Sequence, residues 1–158
     1  MMLVGISFLV IALDQFTKFM ILHTLQLNES VPVWPDILYL TYIQNSGVGF
    51  GLLSNLGSVI RIPFFITVTL ASTFFIYTYQ RLIPHEKQMT RVALGLIWGG
   101  ALGNLTDRLL YGQVVDFIGV RYNGYPWYAF NVADACVTAG ILFLFYEFIS
   151  WNHKKAEA

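Results

Sequence analysis

Apolar residues fill four stretches of the chain, at about 3–22, 59–79, 92–111 and 132–151. Each runs to roughly the 20 residues that a helix needs to cross a hydrocarbon core. The stretches between them differ in kind. From Leu25 to Ser58, the residues Pro32, Trp34 and Pro35 break any helix, while Tyr39-Leu40-Thr41-Tyr42-Ile43-Gln44 has the β-branched and aromatic content of a strand. Bare strand edges are not tolerated in lipid, so this piece is expected at the interface as a small sheet. Arg81 to Arg91 is a polar loop, and Gly112 to Phe130 carries Tyr122, Tyr125, Trp127 and Tyr128, the residue types of an interfacial aromatic belt. The pattern predicts one integral membrane domain over residues 1–158, all-α with a small β element and four transmembrane helices.

Composition agrees with that reading. The chain is 56% hydrophobic and 11% charged, against about 25% charged in soluble domains. Its net charge is zero, which gives nucleic acid nothing to bind. Cys136 is the only cysteine, so an internal disulfide and a cysteine-built zinc site are both excluded. The first stretch is read as retained rather than cleaved, because no Lys or Arg precedes it and Asp14 and Lys18 interrupt it. Arg81, Lys87 and Arg91 lie between the second and third spans and Lys154 and Lys155 follow the fourth, whereas 25–58 holds no Lys or Arg. The positive-inside rule then puts both termini in the cytoplasm and 25–58 and 112–130 outside.

With that orientation the polar residues of the spans gather at one level. Asp14 and Lys18 lie past the midplane of span one, Asn104, Asp107 and Arg108 late in span three, and Asn131 and Asp134 early in span four. An ion at a helix centre costs roughly 2.5–3.5 kcal/mol on insertion scales, so such residues need a purpose. Asp14 and Lys18 are spaced for an ion pair on one helix face, which is either a buried brace or part of a site. Asp107 and Arg108 point apart, so Arg108 is expected to pair with Asp14 or Asp116 across helices. Gly95, Gly99 and Gly103 repeat at every fourth position and mark a close packing face, with Gly100 beside them. Asn45 to Gly51 is a glycine-rich turn that lacks the pattern of a nucleotide loop.

Asp116 and Asp134 flank one short segment and face each other if spans three and four are neighbours. Two carboxylates a few ångström apart share one proton, leaving one acid and one base, and such a pair can activate water against a peptide carbonyl. The alternative for Asn131-x-x-Asp134 is a helix cap and first-turn acid. No Ser-His or Cys-His arrangement presents itself, since His23, His85 and His153 sit at span ends or in the cytoplasmic loop and tail. A metal site would want a well-placed His, and no cofactor is expected. A proton-coupled transporter is the rival reading of the acid cluster, though internal repeats and helices broken at the midplane are absent. A non-catalytic scaffold is another, and the Gly-x-Gly-Asp signature of presenilin-like proteases is missing.

Asp14-x-x-x-Lys18, Asn45-x-Gly47-x-x-Phe50-Gly51, Gly103-Asn104-x-x-Asp107-Arg108, Val115-Asp116-Phe117 and Phe130-Asn131-Val132-Ala133-Asp134 together resemble bacterial lipoprotein signal peptidase, or signal peptidase II. The resemblance runs in order from residue 14 to 134. It implies a monomeric, four-helix aspartyl endopeptidase of the bacterial inner membrane with an extracytoplasmic β-cradle. Its substrates would be prolipoproteins, cut just before a diacylglyceryl-modified cysteine among the membrane lipids, and the cyclic peptide globomycin would inhibit it. By position, Asp116 and Asp134 would be the catalytic dyad. Asp14, Lys18, Asn45, Gly47, Asn104, Asp107, Arg108 and Asn131 would line or brace the site. Gly119 departs from the pattern, standing where many members carry an acid. The turn at Asn45 to Gly51 and the aromatic loop around Trp127 are expected to clamp the substrate.

Overall fold

The computed structural model describes residues 1–47, 57–84, 86–122 and 125–156, with the side chains of 126, 127 and 151–156 outside the description. Among the described residues, four long helices and four strands follow one another as α1 (Met2–Thr24), β1 (Ser30–Trp34), β2 (Leu38–Asn45), α2 (Ser58–Leu82), α3 (Gln88–Tyr111), β3 (Val114–Tyr122), β4 (Tyr125–Phe130) and α4 (Val132–Ala156). Three helical segments, Met2–Thr24, Ser58–Leu82 and Val132–Ser150, are long and apolar enough to cross a membrane. α3 matches them in length at 24 residues, but Arg91, Asp107 and Arg108 and its glycines dilute its apolar character. The expected polar loop at 81–91 shrinks because the helices run further at both ends.

α3 is the axis of the bundle, sandwiched between α1 and α4, while α2 leans chiefly on α3. The expected glycine face explains the sandwich. A Cβ at Gly99 would lie 2.8 Å from the backbone of Ser7 in α1, and one at Gly100 would lie 2.4 Å from the carbonyl of Ala133 in α4. Only hydrogen at these positions lets the backbones touch. Ser7 strengthens the α1 side by donating its hydroxyl to Gly95 O at 3.0 Å. Away from these seams the helices present Phe8, Phe16, Phe74, Phe145 and Tyr146 outward, a surface suited to lipid.

The strands form one antiparallel sheet in the order β1-β2-β3-β4. Both non-spanning segments therefore contribute, whereas the residue pattern pointed to strands only in the first. Pro32 is tolerated because β1 is an edge strand, and Pro126 because β4 is the other edge. α3 hands over to the sheet through Gly112, whose φ of 73° is the left-handed cap conformation and whose N–H reaches Arg108 O at 3.0 Å. Val115 and Phe117 then pack with Ile21 at the end of α1 in a small apolar cluster. Strand alternation turns Asp116, between them, to the opposite face.

Candidate active site

The buried residues Asp14, Lys18, Asp107, Asp116 and Asn131 belong to one connected network where α1, α3, β3 and the start of α4 meet. Lys18 is its cation. Its Nζ lies 2.8 Å from Asp14 Oδ2 and 2.9 Å from Asp107 Oδ2, and it donates to Asn104 Oδ1 at 3.1 Å. Both carboxylates take further donors. Asp14 Oδ1 accepts the N–H of Ala133 at 2.9 Å, at the positive end of the α4 dipole, and Asp107 Oδ2 accepts the N–H of Val115 at 3.0 Å. Gln15 Nε2 closes the group by donating to Asp107 Oδ1 at 2.8 Å and to Gly103 O at 3.2 Å. Gly103 is required here, because its Cβ would lie 2.8 Å from Asp14 Oδ2. Removing the cation from such a group would leave two carboxylates buried without compensation, at a cost of about 3–5 kcal/mol.

Two asparagines connect this brace to Asp116 and Asp134. Asn104 accepts from Lys18 and donates from Nδ2 to Asp134 Oδ1 at 2.8 Å. Asn131, fully buried, donates from Nδ2 to Asp116 Oδ1 at 2.8 Å and to Asn104 Oδ1 at 3.1 Å. Its Oδ1 accepts the N–H of Asp134 at 2.9 Å, and its own N–H points back to Asp134 Oδ2 at 3.4 Å. The cap reading of Asn131-x-x-Asp134 is thus realised together with the link to Asp116, by the same side chain. Asn45, at the end of β2, donates to Asp116 Oδ2 at 2.9 Å, and Ile43 of β2 stands opposite Asp116 in the sheet register.

Arg108 differs from expectation. Its guanidinium donates to the carbonyls of Asn104 and Gly47, each at 3.0 Å, and lies 3.8 Å over the ring of Phe65 from α2, rather than pairing with Asp14 or Asp116. The reason is that Lys18 already neutralises the acids on the α1 side. Arg108 still stands within electrostatic reach of Asp134, Asp116 and Asp107. Gly47 is fixed from the other side by its N–H to Asn45 Oδ1 at 2.9 Å. All ten residues expected at the site therefore join one network, along with Gln15 and Phe65, which the motifs did not single out. Gln15 had a signal, a polar residue within an apolar run beside Asp14; Phe65 had none. Residues 48–51 of the expected clamp and the Trp127 side chain lie outside the described residues.

A cavity of about 350 Å³ opens from Asp116 across the face of the sheet, lined further by Ser30, Thr41, Gln44, Arg121 and Tyr128. Asp116 thus stands at the foot of a groove on the sheet, with Asp134 joined to it through Asn131. The family model for Signal peptidase (SPase) II matches residues 6–150. The chain belongs to the signal peptidase II family. A protein named lipoprotein signal peptidase from Syntrophotalea carbinolica is 43% identical over 141 residues, 88% of this chain and 86% of that one. Another of the same name from Moorella thermoacetica is 40% identical over 144 residues, 91% and 90% of the two chains. A solved bacterial membrane enzyme, determined by the in meso method at 2.3 Å, superposes with a TM-score of 0.86 at 31% identity, over 97% of this chain and 90% of that one. Membership carries with it a lipoprotein signal peptidase activity and a place in a bacterial membrane.

In this member of the signal peptidase II family the electrostatics of the two acids differ by position. Burial pushes the Asp116 carboxyl up to about 7, the charge of Asp134 adds to the effect, and the amides of Asn45 and Asn131 oppose it. Burial also pushes the Tyr128 hydroxyl up, with the charges of Asp134 and Asp116 contributing. Asp116 is accordingly suited to hold a proton near neutral pH.

Proposed function

We propose that this chain is an aspartic endopeptidase that cuts the signal peptide from diacylglyceryl-modified prolipoproteins just before the lipidated cysteine. Asp116 and Asp134 would act as the dyad. The observation that carries this reading is Asn131, a buried residue whose side chain donates to the Asp116 carboxylate while its backbone N–H meets the Asp134 carboxylate at 3.4 Å. In the reaction, Asp134 takes a proton from a water whose oxygen attacks the scissile carbonyl carbon. The tetrahedral adduct collapses as the C–N bond breaks, and Asp116 gives its proton to the departing amide nitrogen. No covalent intermediate forms. Asn104, Asn131 and Asn45 hold the carboxylates in register, and the Lys18 group holds Asn104. Inhibition by globomycin-type cyclic peptides and action as a monomer belong to the same reading.

The test uses the protein in liposomes with a synthetic precursor peptide bearing a diacylglyceryl cysteine. We expect cleavage only before that cysteine, and much slower cleavage of the same peptide without lipid. Proton flux with no cleavage would favour a transporter instead.

We further propose that α3 is a fourth crossing, shielded by its neighbours, with the sheet as an outer cradle and both termini in the cytoplasm. Supporting this are the length of α3 and the Arg81, Lys87 and Arg91 cluster between α2 and α3. In a background with Cys136 replaced by alanine, an impermeant thiol reagent applied outside should label Asp36→Cys and spare Glu86→Cys. The reverse pattern would refute the orientation.

A further inference from the structure

Arg121 is held in an unusual way for a surface cation. Its guanidinium lies 3.8 Å over the ring of Tyr39, and among the described residues that stack is its only side-chain interaction. Stacking fixes the position of the charge while leaving its N–H edge free to donate. Arg121 and Asp116 line the same cavity, and they are the charged residues of that lining. Residues five apart on a regular strand face opposite ways. Both residues nonetheless line one groove, which wraps from the β2–β3 seam at Asp116 to the Tyr39 side of the sheet. At about 3.3 Å per residue, Arg121 lies roughly 16 Å along β3 from Asp116.

The groove runs over the sheet rather than between the helices, and Ser30, Thr41, Gln44 and Arg121 place polar groups along it, so it suits a chain leaving the membrane better than a signal segment returning to the hydrocarbon. On the peptidase reading above, the chain that follows the cleaved bond leaves the membrane on this side. Gly119 keeps the floor low, since a Cβ there would lie 3.1 Å from Thr41 Cγ2. We infer that this groove binds the substrate segment downstream of the cut, and that Arg121 selects for acidic residues about four to six positions beyond the cleaved bond. The inference rests on the peptidase reading above and names a specificity determinant within it.

Three lipidated precursor peptides test it, identical except for Glu, Gln or Lys at the fourth to sixth residues after the cut. For the wild type, kcat/KM should fall in the order Glu, Gln, Lys, by about threefold per step, with the change in KM, as expected for a partly solvated ion pair. Arg121→Glu should invert the order, the Lys peptide becoming the best substrate, and 0.5 M salt should flatten both series. Equal KM values for all three peptides, or a Glu preference that survives in Arg121→Glu, would overturn the inference while leaving the peptidase reading intact. A wild type that cuts none of the three would instead overturn the peptidase reading.

Discussion

Asn131 caps α4 with its carbonyl oxygen and ties Asp116 to Asn104 with its amide nitrogen, so one residue sets the start of a helix and the spacing of two acids. Asp116 is the group whose charge this arrangement penalises. Its value in the fold, about 7, lies above the roughly 4 of an unfolded carboxyl, so the folded chain binds the proton more tightly. Stability from this residue is therefore full below about pH 4 and is lost as pH rises towards 7. Asp116→Asn removes the ionisation, so its melting temperature relative to wild type should climb between pH 5 and pH 8. A difference that stays flat over that range, followed by thermal unfolding in detergent, would show that Asp116 is not a buried titrating group. With Asp116 as the proposed acid, the rate should fall as pH rises through about 7. At this scale the sequence was informative because the cost of polar groups in lipid makes Asp14, Lys18, Asp107, Asn131 and Asp134 conspicuous. Arg108 was misjudged, since which cation neutralises which acid depends on helix rotation that spacing does not contain.

Among the elements, α3 imposes the most demanding geometry, because its two glycine-bearing faces are pressed against α1 and α4 at once. Gly100 shows what this requires: the nearest obstacle to a side chain is the Ala133 backbone, two residues from Asn131, and backbone cannot swing aside. Gly100→Ala should lower stability by about 1–3 kcal/mol, the usual range for overpacking. It should also slow cleavage, because α4 carries Asp134 and would be displaced. An unchanged melting temperature and rate would mean that the seam is looser than described. The fourfold glycine repeat made the packing face readable in advance. The strands of the second outer segment were not readable in that way. Pro126 and the aromatic run Tyr125 to Tyr128 resemble an interfacial loop, and only pairing with β3 at the sheet edge makes that run a strand. Propensity was overridden by a partner distant in sequence.

For the molecule as a whole, α1, α3 and α4 bring their polar groups together and the sheet adds Asp116 and Asn45 to them. Neither layer makes the site alone: Asp116 comes from β3, Asp134 from α4, and the brace from α1 and α3. That these groups would meet was legible because residues of neighbouring antiparallel helices could be counted from the same end. The connection through the sheet was not, because it depends on β2 and β3 pairing with Ile43 opposite Asp116. The central claim is that this shared network serves one proton-sharing pair. It is tested most directly by the rate of cleavage of the lipidated precursor by wild type, Asp116→Asn and Asp134→Asn, each confirmed as folded by thermal unfolding. The account predicts that each variant loses about 10²–10⁴-fold or more in rate, as expected when an acid or base is removed. A folded Asp116→Asn or Asp134→Asn that cleaves at the wild-type rate would contradict it.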